Sequence, residues 1–234
     1  MRPRLLIAVA AAAAALVSAG SSPAAVHVPA TQRLAVILVA HPAYSAPNLD
    51  ARVVQIVPAT TPITHERTVL PVLGHHRGPE GVTWLLVRLP GRPNGHTGWI
   101  RGPGTKKAHT TYAIVVDLRH RQVSVYQRGA LVRQFSVVIG RPSAPTPTGS
   151  YFVEESLEII PGYPGGPYAL ALSARSNVYS EFDGGPGQIA FHGVFGIGGT
   201  PGTAVSHGCV RVDSGDMAWL GAHIRNGVPV RIVV

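Results

Sequence analysis

Six glycines crowd around a single cysteine between residues 190 and 212, in the run A-F-H-G-V-F-G-I-G-G-T-P-G-T-A-V-S-H-G-C-V-R-V. Glycine lets a backbone bend tightly and come close to a ligand. With 27 Gly and 21 Pro in 234 residues, the chain favours short strands and many turns over long helices.

Cys209 shares this loop with His192 and His207. A thiol attacks only as thiolate, so it needs a base or a positive end nearby. A histidine supplies the base, and a third group can aim its ring through the other nitrogen. His207 is two residues from Cys209. In an extended chain that is about 6.5 Å, too far for direct proton transfer without a bend. His192 comes seventeen residues before Cys209 and can enter from a neighbouring strand. It is the expected base, oriented by a backbone carbonyl near Gly193. The amides of His207, Gly208 and Cys209 are the expected oxyanion donors. For the His207 ring, a direct catalytic role and a structural one stay equally open. Ser206 lacks the G-x-S-x-G surroundings of a serine nucleophile and reads as a hydroxyl bracing the loop.

The order His192-Gly193, then Ser206-His207-Gly208-Cys209-Val210-Arg211, resembles the catalytic signature of the YkuD-type L,D-transpeptidases. The resemblance covers roughly residues 110–234. It implies a β-rich catalytic domain that acts on peptidoglycan stem peptides. Cys209 would attack the carbonyl of the third stem residue, and terminal D-alanine would leave, protonated by His192. A second stem's amine would resolve the thioester into a 3→3 cross-link. Acylation of Cys209 by carbapenems is also implied. In the L,D-carboxypeptidase variant, water replaces the amine. Arg211 stands where some members carry Asn, and would hold a substrate carboxylate by a two-pronged hydrogen bond. Ser206 and Tyr179 complete the candidate substrate contacts. A Pro-Thr-Gly run over Pro147-Thr148-Gly149 is also similar to the family. A catalytically inactive wall-binding protein is the alternative from another class; the intact pair His192 and Cys209 argues against it. A papain-like peptidase expects Cys before His in the chain. No C-x-x-C or H-E-x-x-H occurs, so neither metal nor cofactor is expected.

Residues 1–25 read as an export leader: Arg2 and Arg4, an apolar run from Leu5 to Val17, then small residues. That run is short for a membrane span of about 20 residues. Export places the protein in the cell envelope. A lone cysteine there forms no internal disulfide, so the fold is no disulfide scaffold.

Residues 26–33 read as a flexible lead. Hydrophobic runs over 34–39, 52–57, 68–73 and 84–89, with Gly98-Trp99-Ile100, read as strands of a small barrel-like module over 34–101, weakly similar to bacterial SH3-like modules. Residues 40–47 and 91–95 read as turns, and His75-His76 as loop residues. Residues 102–109 read as a linker. From 110 the chain reads as a meander over Tyr112–Leu118, Val123–Tyr126 and Leu131–Ile139, then a strand at 151–154. Residues 155–189 read as irregular, a lid or groove wall whose Tyr163, Tyr168, Tyr179 and Phe182 line a groove or plug the core edge. After Cys209 a short strand precedes one helix, with Asp213 as N-cap and Asp216 in capping-box position. Met217, Leu220 and Ile224 form its apolar stripe, and residues 228–234 close the chain as a strand.

Without Arg2 and Arg4 the net charge is +7, of which residues 26–109 hold +6 and residues 110–234 hold +1. The basic front module suits anionic wall polymers. Nucleic acid fits poorly, because only Lys106-Lys107 are adjacent bases and no aromatics interleave. A monomer is expected.

Overall fold

A computed structural model describes residues 27–79, 81–182 and 184–234. The expected leader over 1–25 lies outside them. Among the described residues the fold is mainly β, with one helix after the cysteine motif.

The front strands are β1 (Gln32–Ile37), β2 (His41–Tyr44), β3 (Val53–Val57), β4 (Val69–Arg77), β5 (Thr83–Arg88), β6 (Thr97–Arg101) and β7 (Thr105–Thr110). They form one antiparallel sheet, ordered β3-β2-β6-β5-β4-β1-β7. The expected linker over 102–109 is therefore a turn followed by strand β7, which pairs with β1 along its whole length. Its Lys106 and Lys107 are exposed, as on many edge strands, and that polarity hid it from a hydrophobic reading. The turn expected over 40–47 contains strand β2, and His75-His76 lie on β4 rather than in a loop. Strand β1 begins inside the expected lead.

The second sheet uses β8 (Tyr112–Asp117), β9 (Gln122–Gln127), β10 (Ala130–Ser136), β12 (Gly149–Glu158), β13 (Tyr168–Arg175), β14 (Gln188–Gly193), β16 (Val210–Val212) and β17 (Pro229–Val233). Its order is β10-β9-β8-β17-β12-β13-β14-β16. Short strands β11 (Ile139–Gly140) and β15 (Ala204–Ser206) pair in parallel beside it. The stretch 155–189, expected to be irregular, holds the end of β12 and all of β13, a central strand. Most of β13 is buried, and small Ala and Ser residues hide any alternation.

The helix α1 spans Ser214–His223, and the Asp213 carboxylate caps it by accepting from the Gly215 amide. Met217, Leu220 and Ile224 are fully buried in the core of the second sheet. Asp216 does not close a capping box: its carboxylate accepts from Arg133 Nε and Nη2 at 2.9 and 2.6 Å. Tyr168 packs against the helix so closely that a Cβ at Gly221 would strike its ring, so Tyr168 belongs to the core edge and not to a groove.

The two sheets share a peg. Phe152 of β12 is buried in the core of the front sheet, among Ile37, Leu70, Val87 and Ile100. Three residues on, Glu155 Oε2 accepts from the Thr64 amide at 2.8 Å and the Ile63 amide at 3.2 Å, capping a front-module turn.

Candidate active site

Strands β14 and β16 run parallel, with Phe191 opposite Val210, His192 opposite Arg211 and Gly193 opposite Val212. Alternation sends Ile189, Phe191, Val210 and Val212 into the core. It leaves Gln188, Ala190, His192 and Arg211 on the other face, each half-buried. One step back in the same register, Cys209 falls opposite Ala190. Its thiol points at the Gln188 carbonyl, 3.9 Å away. Cys209 and His192 are thus diagonal neighbours on one face of adjacent parallel strands.

His192 Nδ1 lies 3.0 Å from the Gly193 carbonyl. When Nδ1–H donates there, Nε2 carries the free lone pair. Gly193 also admits a close neighbour: a Cβ would collide with the Gly166 carbonyl, and its amide donates to Gly165 O at 2.6 Å. No larger residue could sit beside that loop.

Burial pushes the Cys209 thiol up, with the Ala190 amide and Arg211 pulling the other way. Burial pushes His192 down, opposed by its Gly193 hydrogen bond and reinforced by Arg211. Both directions favour a neutral thiol beside a neutral imidazole.

The loop before Cys209 is tightly braced. Gly208 has φ +119, and a Cβ there would lie 3.0 Å from Ile189 Cδ1. Ser206 is wholly buried; its hydroxyl donates to Cys209 O at 2.6 Å and accepts from the Gly208 amide at 3.1 Å. Ser206 therefore reaches no substrate, and the Gly208 amide is already taken. Thr146 Oγ1 donates to Gly208 O at 2.8 Å and accepts from the Gly140 amide at 2.9 Å. The prolines on either side of Thr146 stand in the sequence, but nothing there says that this hydroxyl holds the cysteine loop.

The His207 ring packs against Tyr179 and Phe182, at 6.0 and 5.4 Å between centroids. Tyr179 accepts through its hydroxyl from Arg141 Nη2 at 3.1 Å. Arg211 Nη1 donates to the Gly198 carbonyl at 3.1 Å, so one arm of its fork is tied to the glycine loop. Its Nε is buried without a partner.

A thiol with an imidazole on the next strand, its ring held by a carbonyl, is an acyl-transfer geometry. The YkuD family model, described as the L,D-transpeptidase catalytic domain, matches residues 111–232. The chain belongs to the YkuD family of L,D-transpeptidase catalytic domains. It is 32% identical over 136 residues to the protein named for L,D-transpeptidase YkuD in Bacillus licheniformis, covering 56% of this chain and 71% of that one. The Bacillus subtilis counterpart is 26% identical with the same coverage. The Enterococcus faecium L,D-transpeptidase structure is 21% identical, with a TM-score of 0.41, and the match covers 52% of this chain and 49% of that one. The YkuD match begins just after β7 and runs into β17, taking in the second sheet, the β11–β15 pair and α1.

Proposed function

We propose that the protein is a peptidoglycan L,D-transpeptidase that forms 3→3 cross-links through a thioester on Cys209. The observation that carries this reading is the placement of Cys209 and His192 on one face of β14 and β16, with core residues fixing both strands. His192 Nε2 takes the thiol proton as sulfur attacks the carbonyl of the third stem residue. The oxyanion falls to the amides of His207 and Cys209, since Ser206 Oγ holds that of Gly208. The tetrahedral intermediate collapses and expels D-alanine, whose nitrogen takes the proton from His192. The amine of a second stem then attacks the thioester; His192 accepts its proton and returns it to the leaving sulfur. Tyr179 and the His207 ring form a wall of the groove, and Arg211 offers its untied arm to a substrate carboxylate. The family's chemistry lies outside the cytoplasm, which suits an exported chain.

Purified protein incubated with disaccharide-tetrapeptide tests this by product mass. Cross-linked dimer lacking one D-alanine is expected. Tripeptide alone would assign the carboxypeptidase variant instead, and no product at all would favour a wall-binding protein.

A further inference from the structure

We propose that Arg92 and Asn94, in the turn between β5 and β6 of the front sheet, are positioning residues for the active-site wall that carries Tyr179 and Phe182. The reaction readout below rests on the transpeptidase reading; the exchange readout does not.

The wall is the loop between β13 and β14, residues 176–187. Among its described residues the loop is closed internally by Ser176 N to Gly187 O, the amides of Val178 and Tyr179 to Ser176 Oγ, Gly187 N to Gly185 O, and a bridge between Phe182 and Gly185. Among the described residues, no strand of either sheet pairs with it. Behind it lies a cleft of about 580 Å³, lined by the loop and by Arg92, Pro93 and Asn94, so core packing does not back it. Phe182 is 49% exposed and Val178 51%, which leaves little apolar burial to fix the loop in place.

One guanidinium supplies what packing does not. Arg92 Nη1 donates to Pro186 O at 3.0 Å, while Nη2 donates to Ser176 O and to Tyr179 O, both at 2.8 Å. These carbonyls belong to the start, the crown and the end of the loop. A planar fork with five donors can serve three carbonyls at once; an ammonium on a flexible stem cannot hold the same geometry. Gly187 makes room for it, with φ +63 and a Cβ position that would strike the Tyr179 carbonyl.

Asn94 fixes the base of the loop. Its Nδ2 donates to Arg175 O at 2.7 Å and its Oδ1 accepts from Arg175 N at 2.8 Å. The side-chain amide thus replaces a strand partner at the end of β13, where the ladder with β14 shifts register. Nδ2 also reaches Asn177 Oδ1 at 3.0 Å. The crown that Arg92 holds is Tyr179, whose ring lies against His207, two residues from the thiol. The front module is therefore part of the substrate groove, acting through backbone carbonyls of the catalytic module.

The test uses the full chain as Arg92→Ala, Arg92→Lys and Asn94→Ala, with hydrogen exchange read by mass and turnover on disaccharide-tetrapeptide. Arg92→Ala is expected to speed exchange in 176–187 while β5, β6 and β13 stay protected. Its kcat/KM should fall on the order of tenfold to a hundredfold, mainly through KM, because the groove wall and not the thiol has moved. A merely structural loss would lower kcat with the active fraction and leave KM alone. Arg92→Lys should recover only part of the protection, and Asn94→Ala should loosen the loop at its base. If Arg92→Ala unprotects the core strands as well, the other two variants decide. Wild-type exchange in 176–187 in both alanine variants, or a loosened loop with unchanged KM, would overturn the proposal. An inactive wild type would sink the transpeptidase reading, and exchange alone would still judge the clamp.

Discussion

Arg211 faces His192 across the parallel strands β14 and β16, and its charge acts on both the imidazole and the Cys209 thiol. A guanidinium there disfavours imidazolium and favours thiolate. Burial works with it on the histidine and against it on the cysteine.

The pH dependence follows from those directions. His192, the proposed base, is held below the ordinary imidazole value of about 6.5, so it is mostly neutral down to that pH. The acid limb of kcat/KM should therefore lie below 6.5, and the alkaline limb above the ordinary thiol range. Removing the charge in Arg211→Gln should move the acid limb upward, toward neutral pH. An acid limb at 7 or above in the wild type would contradict this assignment.

Thr146 links two backbones that must stay in register, the Gly140 amide and the Gly208 carbonyl. Thr146→Val keeps the shape and removes both bonds. The cost should be about 1–3 kcal/mol, because a buried amide loses its acceptor. Alkylation of Cys209 by iodoacetamide should also change rate, since the carbonyl that fixes the loop is released. Thermal unfolding and alkylation rates of the same sample check both.

Gly208→Ala places a side chain at φ +119 and against Ile189. Strain of about 1–3 kcal/mol is expected, together with loss of turnover, because the bend that presents the thiol no longer forms. Tm and turnover measured on one preparation test it; a variant with wild-type turnover would show that the bend is dispensable.

Phe152→Ala empties the peg between the sheets. A loss of about 3–5 kcal/mol is expected from a buried aromatic. Unfolding should broaden or split into two steps as the front sheet uncouples. A single transition at the wild-type Tm would show that the sheets hold each other by other means.

The strands that carry Cys209 and His192 were legible because their residues are rare and ordered. One cysteine, two histidines and a run of glycines have few other uses together, and Val210 and Val212 alternate cleanly around Arg211. The helix was legible through Asp213 and the stripe of Met217, Leu220 and Ile224. What stayed hidden was set by distant partners. Strand β7 is a polar edge that exists because β1 pairs with it. Strand β13 is buried along most of its length, so its Ala and Ser residues show no period. The engagement of Asp216 by Arg133, of Gly208 by Thr146, and of the 176–187 loop by Arg92 all cross long stretches of chain. No local pattern carries such contacts.

The most direct measurement is the intact mass of the full chain, quenched during turnover of disaccharide-tetrapeptide. The account expects an added mass equal to the donor less D-alanine, located on the peptide that contains Cys209 and absent from Cys209→Ala. Turnover by Cys209→Ala, or cross-linked product from wild-type protein whose cysteine never carries the adduct under any quench, would contradict it.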